Sequence, residues 1–141
     1  MDDLQRLEQL IRARHCCVSI VTYEESDAVE LVRRAAERQN KSMWVWSVNR
    51  GVRDGHRDDG MPVSETEHPA AALYYLGVRE NNSICVMLDL AEHLKDARTL
   101  RMLREMIDLF AQGGGMLVLI DHQDHLPAVV SGCSTRFELS L

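Results

Sequence analysis

Hydrophobic positions along this chain alternate between two rhythms, one helical and one extended. Leu4, Leu7, Leu10 and Ile11 fall on one face of a helix over residues 3–14. Residues 16–22 then form a short apolar run carrying the β-branched Val18, Ile20, Val21 and Thr22, which predicts a first strand. Beyond a polar turn, Val29, Val32 and Ala36 share a helical face that runs to about residue 39. Thr22 and Glu25 have the spacing of a capping box for that helix, with Ser26 a competing N-cap. Lys41 and Ser42 turn the chain into a second strand, residues 43–48, with Trp44 and Trp46 on one face and Val45 on the other. Residues 49–67 read as a solvated loop because of their glycines, Pro62 and the charged run from Arg53 to Asp59.

Pro69 suits the first turn of the next helix, which Gly77 is expected to end. Asn81 and Asn82 turn into a third strand, residues 83–89, apolar on both faces as in the middle of a covered parallel sheet. Asp96 can cap a long helix that repeats Leu100, Leu103, Ile107 and Phe110 and stops at Gly113–Gly115. A fourth strand, residues 116–121, one helical turn near 126–130 and a fifth strand, residues 135–140, complete the pattern. Strands alternating with long helices predict a single α/β domain over residues 1–141. It would be a three-layer sandwich around a five-stranded, mainly parallel sheet.

Charge and cysteine usage narrow the function classes. A formal net charge of −6, with no basic stripe to offset it, argues against a nucleic-acid surface. No apolar run reaches membrane-spanning length, and the acidic start of the chain lacks the layout of a secretory signal. Cys16, Cys17, Cys85 and Cys133 show no C-x-x-C spacing, so free thiols in a cytoplasmic protein are expected.

The candidate chemistry gathers where the strands end. In nucleotide-binding α/β proteins the first strand-to-helix turn holds phosphate with glycines. Here it reads Tyr23-Glu24-Glu25-Ser26-Asp27, with three acids and neither glycine nor lysine. Asp89 stands at the end of the third strand, where a phosphate-loop fold keeps its Mg²⁺-ordering aspartate, but no Lys-Ser/Thr pair accompanies it. Glu24, Glu25, Asp89 and Asp121 all fall at strand carboxyl ends, where open α/β sheets place ligands, and are weak candidates for Mg²⁺. The run Asp121-His122-Gln123-Asp124-His125 has transition-metal donors but no distant partner, and reads as a polar turn. His56 with Asp54, Asp58 and Asp59 reads the same way, and no nucleophile has a base in reach.

The segments IVTYEE, VWSVNRG, SICVMLDLAEHL and MLVLIDHQDHLP, in that order, resemble the N-terminal domain of an AAA-type ATPase family named for a chloroplast open reading frame, with many bacterial members. The resemblance spans about residue 4 to residue 141, and its most specific pieces are IVTYEE and VWSVNRG. It implies a degenerate RecA-like domain with P-loop-type strand order 5-1-4-3-2, lacking the phosphate loop and placed ahead of a complete AAA module. The charged segment between Gly51 and His68 lies outside that pattern. The resemblance further implies a non-catalytic accessory domain with no cofactor of its own. ATP and Mg²⁺ would belong to the parent ATPase, and the partners would be the adjacent ATPase module and further copies of itself. The alternative from the residues is an Mg²⁺-dependent phosphotransfer or receiver-like domain using the strand-end acids, although a receiver also wants a lysine where this chain has Ser140-Leu141. A residual glycine-free nucleotide pocket is a third.

Overall fold

The computed structural model describes residues 1–140. Its helices are α1 (Asp3–Arg12), α2 (Glu25–Arg38), α3 (Pro69–Arg79), α4 (Ala97–Gly113) and the single turn α5 (Ala128–Ser131). Its strands are β1 (Cys17–Val21), β2 (Met43–Ser47), β3 (Gly51–Asp54), β4 (Ile84–Leu88), β5 (Met116–Asp121) and β6 (Thr135–Arg136), and a 3-10 turn spans Ala91–Lys95. The six strands form one sheet in the order β3-β2-β4-β5-β1-β6. Every pairing is parallel except the β2–β3 hairpin.

The apolar runs are continuous because both faces of the sheet are covered. Ile84, Val86, Val118 and Ile120 face α1 and α2, where they meet Leu7, Val32 and Ala36. Cys85, Met87, Leu117 and Leu119 face α3 and α4, where they meet Leu73, Leu76, Leu103 and Phe110. Trp46 is fully buried on this second side and donates its indole N–H to the Thr66 carbonyl at 2.8 Å.

Five expectations need correcting. The sheet has six strands rather than five, because Gly51–Asp54, inside the expected loop, pairs antiparallel with β2. The order along the sheet therefore differs from the expected one by this added edge strand. Buried Thr66 is what holds it: its hydroxyl accepts the Val52 N–H at 2.8 Å and donates to the Val63 carbonyl at 2.7 Å. The last strand is only Thr135–Arg136: the Phe137 N–H makes the final ladder bond, to the Ser19 carbonyl at 2.8 Å, and the residues beyond it turn to α1. There Arg6 donates to the Glu138 carbonyl and stacks on Phe137, and Ser140 donates to Asp3. Gly77 does not end its helix, which continues to Arg79; a Cβ at Gly77 would lie 2.2 Å from the Met106 sulfur, so this glycine permits close helix packing. Finally, Glu24 is the N-cap of α2 without any side-chain cap, so neither Thr22–Glu25 nor Ser26 caps it.

The other helix ends follow their sequence signals. Asp2 and Gln5 form a capping box on α1, and Asp96 accepts the Thr99 N–H at the start of α4. Gly114 closes α4 at φ 84°, a left-handed conformation that glycine adopts without penalty.

Candidate functional site

Four parallel strands, β1, β2, β4 and β5, bring their carboxyl ends to one edge of the sheet, and the predicted chemistry lies along that edge. On the β1 side, the Thr22 N–H donates to the Asp121 carbonyl at 2.8 Å. The Thr22 hydroxyl then accepts the Glu24 N–H at 2.9 Å, forming a small turn of its own. Tyr23 stands in solvent at 87% exposure, and Glu24, Glu25, Ser26 and Asp27 are all exposed. Beside this turn runs an acidic groove of about 940 Å³ in which Asp2, Asp3, Glu24, Asp27, Glu30 and Glu138 face Arg34 and Arg136. Glu25 and Ser26 belong to a different, smaller groove toward β3, which also holds Arg33 and Arg53. Arg33 is committed to the Gly55 carbonyl and Glu30. Burial, reinforced by Arg50, lowers the Arg53 pKa.

On the β4 side, Asp89 adopts φ 57° immediately after the strand while its N–H donates to the Ile120 carbonyl at 3.0 Å. An aspartate tolerates this left-handed conformation better than most side chains. Asp121, at the end of β5, is largely buried, with its side chain 13% exposed. One carboxylate oxygen accepts the N–H groups of His122 at 2.8 Å and Gln123 at 3.3 Å, and the other accepts the Ala91 N–H at 3.3 Å. Asp121 thus ties the loop after β5 to the 3-10 turn after β4.

The His122 imidazole leans over this pair. Its Nδ1 lies 3.5 Å from an Asp89 carboxylate oxygen and 3.4 Å from Asp121 Oδ1. Among the described residues, Asp89, Asp121 and His122 are the one group of three or more such side chains with donor atoms all within 4.8 Å of each other. The structure therefore unites two of the four predicted carboxylates and adds a histidine, while Glu24 and Glu25 line the grooves beside α2. The run after β5 divides, since Asp124 pairs with Arg136 at 2.7 Å. His56 Nε2–H donates to the Lys41 carbonyl at 3.1 Å, and the Asp54 carboxylate accepts the His56 backbone N–H. The spacing of histidines within one loop does not signal the His122–Asp89 contact, because the partner comes from the end of the neighbouring strand.

A family profile described as SpoVK-like AAA ATPase, N-terminal domain, matches residues 3–139. The chain belongs to that family of AAA ATPase N-terminal domains. This is the general class that the strand and turn motifs implied. Comparison with curated proteins finds no match. Among the described residues no helix is long and apolar enough to cross a membrane.

Proposed function

We propose that this domain serves its AAA ATPase by contact rather than catalysis, as a degenerate RecA-like module that packs against the adjacent ATPase unit or assembles copies of itself in the cytoplasm. The observation that carries this reading is the turn after β1. A phosphate-binding turn offers free backbone N–H groups to the ligand. Here the Thr22 hydroxyl already occupies the Glu24 N–H. Glu24, Glu25 and Asp27 add negative charge at the same helix start, where it would repel a triphosphate. The residues present do not fit a nucleotide, and no step through ATP is assigned to them. The parent protein would bind and hydrolyse ATP with Mg²⁺ in its own module.

The outer face of α3 supports a contact role. Ala71, Tyr74 and Val78 are exposed at helical spacing, so this helix lacks the charged outer face usual for a surface helix. The receiver-like reading needs a cation free to face the strand-end acids; the last strand ends at Arg136, whose guanidinium is paired with Asp124 at 2.7 Å. Calorimetric titration of the chain with MgATP is expected to give no binding heat. Micromolar binding would overturn the accessory reading.

A further inference from the structure

We propose that Asp89, Asp121 and His122 bind a divalent transition-metal ion of the Zn²⁺ class at the carboxyl ends of β4 and β5. The inference is independent of the accessory role, because it rests on donor geometry alone.

Nδ1 of His122 stands 3.5 and 3.4 Å from the two carboxylates. An N–H···O hydrogen bond prefers about 2.7–3.2 Å, so neither contact has the length of direct bonding between these side chains. Zinc holds nitrogen and carboxylate oxygen at about 2.0–2.2 Å, and tetrahedral ligands at that radius stand about 3.4 Å apart. Two edges of the donor triangle already match that spacing. The third, between the carboxylates, lies within 4.8 Å, and Asp89 is the exposed partner on that edge.

The least mobile ligand is also the best supported. Asp121 is aimed by three backbone N–H groups, from Ala91, His122 and Gln123. Outer hydrogen bonds of this kind orient a carboxylate ligand before the metal arrives. An imidazole with two carboxylates is a mixed nitrogen–oxygen set, which suits Zn²⁺, Co²⁺ or Ni²⁺ better than the all-oxygen preference of Mg²⁺ or Ca²⁺. Coordination positions toward solvent stay open, since Asp89 and His122 are each more than half exposed.

The test uses the whole chain, stripped with a chelator, and the metal alone as probe. Calorimetry with Zn²⁺ is expected to show one site, with Co²⁺ competing for it. Asp89→Asn and His122→Ala should each weaken Zn²⁺ about tenfold or more. Both positions are exposed, and asparagine accepts the left-handed backbone at position 89, so circular dichroism should show the fold intact. His56→Ala, at a histidine elsewhere on the surface, should leave binding unchanged. Absence of Zn²⁺ binding, or binding that survives both substitutions, would overturn the assignment. So would Mg²⁺ binding as tight as Zn²⁺ binding and indifferent to His122→Ala, which would mark a hard-cation site without the imidazole.

Discussion

Gly115 shows how little room single residues have in this sheet. A Cβ there would lie 2.4 Å from the Ser83 carbonyl oxygen and 2.5 Å from that of Asn81, both backbone atoms that cannot swing aside. Gly115→Ala should cost about 2 kcal/mol or more, seen as a lower denaturation midpoint with unchanged slope. Gly60→Ala, where the nearest atom is 4.0 Å away, should stay within about 0.5 kcal/mol. The cysteines divide in a similar way. Burial pushes the Cys17 and Cys85 thiols far above their ordinary pKa and that of Cys16 upward, while Cys133 is exposed. A thiol reagent at neutral pH should therefore label Cys133 promptly, and Cys17 and Cys85 only on unfolding. Mass spectrometry of the labelled peptides reads the order. At this scale the sequence conveyed residue type well and partner poorly. Asp89 and Asp121 were visible as strand-end acids, but the approach of His122 to Asp89 depends on the register between β4 and β5.

Elements were legible wherever two covered faces or a clear cap marked them. β1, β2, β4 and β5 sit close to their expected places because apolar runs of that length have few other ways to be buried. Asp96 caps α4 and Gly114 closes it for equally local reasons. β3 was hidden because its core contribution is Val52 alone, beside the half-buried Arg53 and Asp54, and its stability comes from Thr66 far along the chain. Thr66→Val preserves shape and removes the acceptor for the buried Val52 N–H. It should cost about 1–3 kcal/mol, and hydrogen exchange should accelerate first in Gly51–Asp54. β6 is shorter than its pattern suggests: Phe137 and Leu139 alternate like strand residues, yet Phe137 is held under Arg6 and the backbone beyond it bonds to α1.

At the scale of the molecule, the two ends of the described chain meet. Ser140 donates from both its hydroxyl and its N–H to Asp3, and these bonds, with the Arg6 charge, hold the Asp3 carboxyl below its ordinary pKa against the opposing effect of burial. A carboxyl lowered on folding contributes its full stability above its unfolded pKa and loses it as pH falls through the folded one. Melting temperatures from about pH 7 to about pH 3 should therefore fall less steeply for Asp3→Asn than for the unaltered chain. The α/β class and its parallel core followed from strand–helix alternation, which global packing could hardly satisfy otherwise. The antiparallel edge and the clasp between the ends depend on contacts across the whole sequence, which periodicity does not encode.

That clasp has a topological consequence. A short peptide could bridge the ends and the backbone be reopened at the exposed loop residues Arg57–Asp58, giving a circular permutant with the sheet order preserved. Because Asp3 and Ser140 are bonded to each other beside the acidic groove, both ends of the described chain share one corner of the domain, and a load applied at the two would be borne by these few polar bonds before it reached the sheet.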